Sequence, residues 1–346
     1  MDIYTTRALV EVIRVQPSPT TYWLDNFFPR QMNFTEEEIQ FDLVTGGRPL
    51  APFVAPNVGG RIMKERGYTA RTFRPAYLKP KSAITPDRAF VRRPGEAIGG
   101  ALTPEARWNA AIAEAMRLHK DAITRRWDWM ACKAIADGAV TVEGEDYPSV
   151  TVDFGRDSSL DSTLTGAARW SQGTATPLDD LRTMRQAAFD VGRAPITRLT
   201  FGLDAWAWFV SFDEVKALLD KTQRGSESFW NQAIPDGAPY APAGILQGDG
   251  GAGRLELWTY NDKYDDESGT ATEYLAQDQV VGTGGAIQGV RCFGAIRDTR
   301  AQLQALAMFP KMYDKEDPSV TYALTQSAPL MVPAQPNGSF RLKVNG

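Results

Sequence analysis

The chain contains very little cysteine and histidine. Of its 346 residues, only Cys132 and Cys292 are cysteines, and His119 is the one histidine. Two cysteines cannot build a disulfide framework, so a reducing compartment is the default expectation. A single histidine excludes a histidine-based metal cluster and any dyad that needs two histidines.

Long apolar runs are missing as well. The most apolar window, residues 196–212, is 17 residues long and includes Arg198 and Asp204, whereas a membrane span needs about 20 apolar residues. The N-terminus has no basic region followed by an apolar core, so we expect no signal peptide. These patterns predict a protein that neither spans a membrane nor is secreted by that route.

The composition is that of a folded protein with an uneven charge distribution. Apolar residues make up 43% and charged residues 23% of the chain, whose net charge is −4. Residues 46–100 alone carry a net charge of +8, which leaves −12 for the remainder. The basic residues of this stretch are Arg48, Arg61, Lys64, Arg66, Arg71, Arg74, Lys79, Lys81, Arg88, Arg92 and Arg93. A basic segment on an acidic body suggests binding to nucleic acid, to an anionic surface or to another copy of the body.

The same stretch is rich in residues that interrupt regular structure. It holds seven prolines and eight glycines, yet short alternating runs such as 68–73 persist. We predict a long, twisted β-hairpin with few apolar residues to bury. Because so long a loop is unusual inside a compact domain, we expect the hairpin to extend away from its own domain.

A long amphipathic helix follows, predicted over 103–138. Thr103 is a suitable N-cap, Pro104 fits the first helical position and Gly138 is a suitable stop. One apolar stripe recurs at spacings of three and four, formed by Trp108, Ile112, Ala115, Met116, His119, Ile123, Trp127, Met130 and Ala134. Such a helix is about 50 Å long, which favours an elongated or flat molecule.

The remaining chain predicts an α+β fold with further short elements. A hairpin is expected over 139–154, a helix over 177–192, and paired strands at 255–260 and 274–276. Strands at 320–325 and 340–344 are expected to return to the first region. Near the N-terminus, the aromatic cluster 22–28 requires burial, and Thr35 with Glu38 is typical of a capping box that opens a short helix.

Motifs that would carry chemistry are weak throughout. Residues 248–253 satisfy G-x-G-x-x-G, but a strand rather than a helix is predicted next, which favours a turn over a dinucleotide site. His119 lies on the apolar stripe and Cys132 on the same helix, so both are interpreted as structural. The acidic run 262–267 lacks the calcium-loop order of ligands and is interpreted as a hairpin tip. We therefore predict no catalytic residue, no cofactor and no metal site, and no enzymatic activity.

The order of these parts resembles the HK97-type capsid fold and, more specifically, the lambda-type major capsid protein (protein E) family. The residues that carry this resemblance are spread over the chain, at 4–6, 66–81, Trp206, 211–212, 215–216, 224–226 and 326–331. The resemblance implies an N-terminal arm (1–42), an extended E-loop hairpin (43–100) and a peripheral P-domain (101–172) with the spine helix 103–138. A mixed α/β axial A-domain (173–307) and strands returning to the P-domain (308–346) complete the expected organisation.

The resemblance also implies a function and partners. The chain is expected to be the major capsid (head) protein of a tailed bacteriophage, assembling through hexamers and pentamers of itself into an icosahedral shell around the DNA genome. Expected partners are a portal, a trimeric decoration protein at three-fold positions and packaged double-stranded DNA that is not bound specifically. Because about forty residues precede the hairpin, we expect a separate scaffolding protein. The expected location is the virion capsid, assembled in the host cytoplasm.

The hairpin is the one element to which the resemblance assigns contacts between subunits. The candidate contact residues are Arg66, Arg71, Phe73, Arg74, Tyr77, Lys79 and Lys81. Covalent crosslinking through Lys79 or Lys81 is not expected, since the lambda type does not crosslink. Two alternatives stay open: an encapsulin-like nanocompartment shell that encloses enzyme cargo, and a nucleic-acid-binding protein that uses the basic stretch with its aromatic residues.

Overall fold

The fold was described from a computed structural model of the chain. The structure describes residues 6–16, 19–36, 38–45, 51, 53–54, 57, 59, 67–92, 102–144, 147–216, 239–247, 254–266, 268–302 and 304–346. For residues 6–8 of helix α1, 40–45 of β2 and 67–71 of β3, only the backbone is described. The predicted glycine motif at 248–253 and part of the basic stretch lie outside these residues.

The chain forms both helices and strands, as the predicted α+β class implies. The helices are α1 (Thr6–Val15), α2 (Tyr22–Phe27), α3 (Asp87–Phe90), α4 (Pro104–Ala136), α5 (Pro177–Gly192) and α6 (Leu203–Ser211). The strands up to the central region are β1 (Arg30–Asn33), β2 (Ile39–Thr45), β3 (Gly67–Phe73), β4 (Lys81–Ile84), β5 (Ala139–Gly144), β6 (Tyr147–Asp153), β7 (Asp161–Thr163) and β8 (Arg198–Phe201). The later strands are β9 (Tyr240–Gln247), β10 (Arg254–Tyr260), β11 (Lys263–Asp265), β12 (Ala271–Glu273), β13 (Gln279–Thr283), β14 (Val290–Phe293), β15 (Phe309–Lys315), β16 (Val320–Gln326), β17 (Pro329–Val332) and β18 (Ser339–Lys343).

Helix α4 is the rod that the sequence predicts, to within two residues at each end. Thr103 caps it by accepting a hydrogen bond from the Ala106 amide, and Pro104 occupies the first turn. Gly138 ends it with a φ of 68°, a left-handed conformation that glycine adopts without strain. The predicted stripe is buried from Ile112 onward, and Cys132 is buried on the same helix. None of the described helices is long and apolar enough to span a lipid bilayer.

A six-stranded sheet forms the centre of the second half of the chain. Its strand order is β7-β18-β13-β8-β10-β9. One apolar cluster packs α5 and α6 against this sheet through Leu181, Phe201, Phe209 and Phe340. A second cluster joins the sheet's other side to the C-terminal half of α4 through residues such as Val281 and Trp127. The sheet is therefore covered by helices on both faces.

The hairpin of the basic stretch is present in the described residues, where β2 pairs with β3 from Ile39↔Phe73 to Thr45↔Gly67. Beyond β3, the chain does not stay extended from the body. Strand β4 pairs with β16, from Lys81↔Leu324 to Ile84↔Thr321, and completes the sheet β15-β16-β4. Residues 81–84 are therefore part of a three-stranded sheet, and the bounds 43–100 of the extended E-loop hairpin stay a prediction.

One predicted pairing differs from the structure. Strand β10 pairs with β8 and β9 rather than with residues 274–276, because β8 supplies a parallel neighbour through Leu199↔Leu257. Strand β18 lies inside the central sheet, where it pairs with β13 on one side and, on the other, with β7 of the predicted P-domain range. Its alternating side chains Phe340, Leu342 and Val344 fill the core on the α5 side of that sheet.

The N-terminal segment is more structured than an arm. The described residues among 35–38 form coil and bends instead of the predicted helix, and they lead directly into β2, where Ile39 is buried. Helices α1 and α2 instead pack on α4 and its neighbours. The predicted burial of the aromatic cluster is confirmed, with Tyr22, Trp23 and Phe28 at 1% exposure or less.

Two buried charges on α4 hold the backbone of this segment. The Lys120 ammonium donates to the carbonyls of Ile13, at 2.9 Å, and of Gln16. Asp128, 3% exposed, accepts a hydrogen bond from the Leu24 amide at 2.8 Å. A cation near the C-terminus of α1 suits that helix's dipole. Both contacts satisfy polar groups that α4 would otherwise bury without partners.

Replacement of Asp128 by Asn is expected to stabilise the protein above pH 7. Burial raises the pKa of the Asp128 carboxyl to about 7 from an ordinary 3.8, against the opposing hydrogen bond from Leu24. Between these values the unfolded chain has lost a proton that the folded chain retains, so stability falls as pH rises from about 4 to about 7. Asn keeps an acceptor for Leu24 and removes the ionisation, which gives a gain of up to about 4 kcal/mol at pH 8.

Urea unfolding at pH 8 and pH 4 checks this expectation. The gain of Asp128→Asn should be present at pH 8 and vanish near pH 4. Glu114→Gln, an exposed acid-to-amide change on the same helix, is the matched control and should show no such gain. An equal effect of Asp128→Asn at both pH values would contradict the assignment.

Candidate intersubunit surface

The segment 74–84 and the sheet β15-β16-β4 form one continuous surface, which we call the hairpin base. Leu78 forms an isolated bridge with Ser327, with reciprocal backbone hydrogen bonds of 2.8 and 3.1 Å. These bonds and the β4–β16 pairing fix the chain that leaves β3 against the C-terminal strands. Residues far apart in sequence are thereby placed side by side.

Tyr77 anchors the hairpin base from below. Its hydroxyl donates to Gln326 Oε1 at 2.8 Å and accepts from the Arg297 amide at 2.9 Å. Burial is the main reason that the pKa of Tyr77 is raised, with the Asp298 charge adding to it and the Arg297 hydrogen bond opposing it. The hydroxyl therefore stays protonated and serves as a structural donor.

Asp298 continues this network towards β15. Its Oδ2 accepts from Lys311 Nζ at 2.7 Å and from Gln326 Nε2 at 2.9 Å. Burial alone would raise the pKa of Asp298, but these donors and the Arg300 amide outweigh it, and the pKa is lowered. A buried carboxylate with this many donors is a stable acceptor, so the network is rigid rather than reactive.

Two lysines lie on the outer side of the hairpin base. The Lys81 ammonium lies 3.9 Å from the Tyr322 ring centroid and 5.5 Å from that of Tyr313. Lys79 Nζ is 5.5 Å from the Tyr77 ring centroid. Cation–π contacts restrict long side chains without removing their charge. The lysines are thus held in place while remaining available to an acidic partner.

His119 joins the hairpin base to α4. Its Nε2 lies 2.8 Å from Ser82 Oγ on β4 and its Nδ1 lies 3.2 Å from Thr325 Oγ1 on β16. Burial lowers the pKa of the imidazole. Both ring nitrogens connect the helix to two strands, which supports the structural interpretation of this residue.

The predicted contact residues fall into three groups. Tyr77, Lys79 and Lys81 lie together on the hairpin base, and Arg74 is exposed at its start. Phe73 is buried in the chain's own core. Arg66 lies outside the described residues, and of Arg71 only the backbone in β3 is described. Contact between subunits is not tested at any of these positions and stays a prediction.

The sequence reasoning missed the residues beneath the lysines. Tyr313, Tyr322, Asp298 and Gln326 were not singled out, although residues 320–325 were predicted as strand. Because successive side chains of a strand point to opposite faces, the predicted strand could have placed Tyr322 and Leu324 together on one face of β16. Nothing local could have shown that β4 would be the pairing strand, because Lys81 and Leu324 are far apart in the chain.

Comparison with known proteins identifies the family. The sequence profile described as "Phage major capsid protein E" matches residues 5–344. The major capsid protein of Enterobacteria phage P21 is 31% identical over 97% of this chain and 98% of its own length. That of Escherichia phage lambda is 30% identical with the same coverage. This chain therefore belongs to the phage major capsid protein E family, as the resemblance in its sequence indicates.

Solved structures agree at the level of the fold. The crystal structure of a prophage capsid protein from E. coli CFT073 has a TM-score of 0.74, with 23% identity and 99% of each chain covered. The capsid structure of cyanophage P-SCSP1u has a TM-score of 0.50 at 11% identity, with 96% of this chain and 90% of that chain covered. The predicted HK97-type α+β fold is confirmed. The function predicted first, that of a tailed-phage major capsid protein, is confirmed by the family.

Replacement of Tyr77 by Phe tests the anchoring of the hairpin base. The variant leaves Gln326 Oε1 and the Arg297 amide without their partner, which typically costs about 1–3 kcal/mol. Denaturant unfolding should show a loss of this size. Tyr147→Phe is the matched control, because the Tyr147 hydroxyl has no hydrogen bond in the described part of the chain. Equal losses in both variants would show that the Tyr77 network does not stabilise the fold.

His119 is expected to make the protein sensitive to mild acid. Because burial lowers its pKa below 6.5, the unfolded chain binds a proton that the folded chain does not, and stability falls as pH drops below about 6.5. Melting temperatures at pH 7.5 and 5.0 should therefore fall more in the natural protein than in His119→Gln. A fall of the same size in both proteins would contradict this role.

Proposed function

We propose that this chain is the self-assembling subunit of an icosahedral capsid shell that encloses a phage DNA genome. The observation that carries the proposal is the family match, which extends over nearly the whole chain. The role is structural, with no catalytic step. Many copies, arranged as hexamers and pentamers, make up the virion capsid, and assembly takes place in the host cytoplasm.

The basic hairpin supplies the contact between neighbouring copies. Its net charge of +8 faces a remainder of −12, and complementary charge sets register and partner choice more than it sets affinity. In this proposal Arg66, Arg71 and Arg74 act along the hairpin, and Lys79 and Lys81 act at the hairpin base. Phe73 and Tyr77 contribute from beneath by fixing the base to its own subunit. The division into N-terminal arm, E-loop, P-domain and A-domain is proposed from the family resemblance.

The contacts of Lys81 with the rings of Tyr322 and Tyr313 support its proposed role between copies. Lys81 is exposed, but its ammonium is held 3.9 Å from the Tyr322 ring centroid. A side chain that is already ordered loses less conformational entropy when a partner docks. Apolar contacts would provide most of the free energy of assembly. Individually weak contacts would allow wrongly placed subunits to dissociate.

The remaining partners are proposed from the family resemblance. They are a separate scaffolding protein, a portal, a trimeric decoration protein at three-fold positions and double-stranded DNA. The −12 charge of the chain outside the basic stretch would repel packaged DNA where it faces inward, so the genome is enclosed without specific binding. No membrane takes part in this scheme.

Charge reversal in the hairpin tests the proposed contact. The double variant Arg71→Glu and Arg74→Glu should reduce the yield of closed shells at least tenfold, because like charges would then face each other across the contact. The melting temperature of the free subunit should change little. Negative-stain microscopy and sedimentation of the co-expressed protein give the shell yield.

Arg182→Glu, an exposed charge reversal on α5 and outside the hairpin base, is the matched control and should assemble normally. Normal shells from the Arg71/Arg74 variant would show that the hairpin charge is not used between copies. Failure of the natural chain to form shells with its scaffold would contradict the proposed function itself.

A further inference from the structure

The end of α4 meets the edge of the central sheet through four charged side chains, which we call the joint. They are Asp137 directly after α4, Arg156 in the connector after β6, Asp161 in β7 and Arg341 in β18. These elements belong to different parts of the fold. The joint therefore connects the rod to the sheet by directional contacts, in addition to the apolar packing between them.

Arg341 is the fully paired cation of the joint. Its Nε donates to Asp161 Oδ1 at 2.9 Å and its Nη2 contacts Asp161 Oδ2 at 2.5 Å, which makes a bidentate pair. Its Nη1 donates to Asp137 Oδ1. Bidentate pairs of this kind fix geometry as well as contributing energy. In this arrangement Arg341 holds the end of α4 and strand β7 together.

Arg156 is the incompletely paired cation. Its side chain is 4% exposed, and its Nη1 donates to the Ile135 carbonyl at 2.8 Å. Its Nη2 is buried and has no hydrogen-bond partner within the described residues. Burial lowers the pKa of Arg156 to about 10, so the group stays charged at neutral pH. A buried donor without a partner is rare and requires an explanation.

The carboxylate that forms an ion pair with that donor is already in use. Asp161 Oδ2 lies 3.7 Å from Arg156 Nη2 and 2.5 Å from Arg341 Nη2. A movement of about 1 Å would bring the Arg156 distance into hydrogen-bond range. Arg341 would then keep Asp137 as its partner. The geometry is thus compatible with a second arrangement of the same four side chains, in which Arg156 takes the place of Arg341 at Asp161.

We propose that Asp161 exchanges between Arg341 and Arg156, and that this exchange gives α4 two positions against the central sheet. Apolar packing between α4 and the sheet is non-directional, so in this proposal the charged side chains of the joint select between two small rotations of the helix. Because α4 extends about 45 Å from the joint, such a rotation is amplified at its far end. In a shell, two positions would let identical chains fit non-identical neighbours; this consequence rests on the function proposed above.

Distance measurements on the free subunit test the exchange. Spin labels are attached to Glu105→Cys near the start of α4 and to Thr183→Cys on α5, both exposed positions; the native cysteines are buried. Pulsed electron paramagnetic resonance should give two distances for the natural joint. Arg341→Gln should retain one of them and Arg156→Gln the other, so the two variants move the mean distance in opposite directions.

Arg198→Gln is the matched control. Arg198 pairs with Glu256 at 3.1 Å and has 22% side-chain exposure against 25% for Arg341, but its pair lies within the central sheet. This variant should leave both distances and their proportions unchanged. Should Arg156→Gln fail to fold, Arg156→Lys keeps the charge while losing the second donor arm and serves in its place.

Two results would overturn the exchange. One is a single distance in the natural protein that neither arginine variant changes. The other is a shift in the same direction in both variants, which indicates a general loosening with loss of stability. Because the measurement uses free subunits, it is independent of shell formation. A chain that shows the exchange but forms no shells would contradict the proposed function alone.

Discussion

The burial of α4 is the constraint on which the rest of the structure depends. A helix of 33 residues is too long for any single neighbouring element to cover. Its buried residues include the polar residues His119, Lys120 and Asp128. Each needs a partner from the segment that covers it. His119 forms hydrogen bonds with β4 and β16, Lys120 with the end of α1, and Asp128 with the start of α2. The polar groups of one helix thereby determine where three distant parts of the chain are placed.

This constraint explains which elements could be predicted. The rod has a strong three-and-four spacing, an N-cap at Thr103 and a stop at Gly138, all of which are local signals. Strand β6 and the hairpin it forms with β5 alternate clearly. Helix α1 was not predicted, because five of its ten residues are β-branched, which lowers helix propensity. The helix is stabilised by tertiary packing, in which Leu9 and Ile13 are buried against α4 and its neighbours. Capping residues at 35–38 were present, but the chain there leads directly into β2, where Ile39 is buried.

The hairpin base shows a similar limit for the site. Composition identified Lys79 and Lys81 as candidates, since charge and proline content are visible in the sequence. Their supports are not visible there: Tyr322 and Asp298 reach the lysines and Tyr77 only through pairing across more than two hundred residues. The same is true of the joint, where Arg341 and Asp161 meet because β18 enters the central sheet. Long-range pairing is the information that a single sequence gives least directly.

Because β4 pairs with β16, the sheet that contains them can form only late in the synthesis of the chain. Lys81 leaves the ribosome long before Leu324, and at roughly 20 residues per second the delay is about 12 s. Throughout that interval the base of the basic hairpin has no strand to pair with, and His119 lacks Thr325. The surface proposed to meet other copies is therefore completed only after almost all of the chain has been made. An incomplete chain therefore lacks the contact surface proposed above, whatever its concentration.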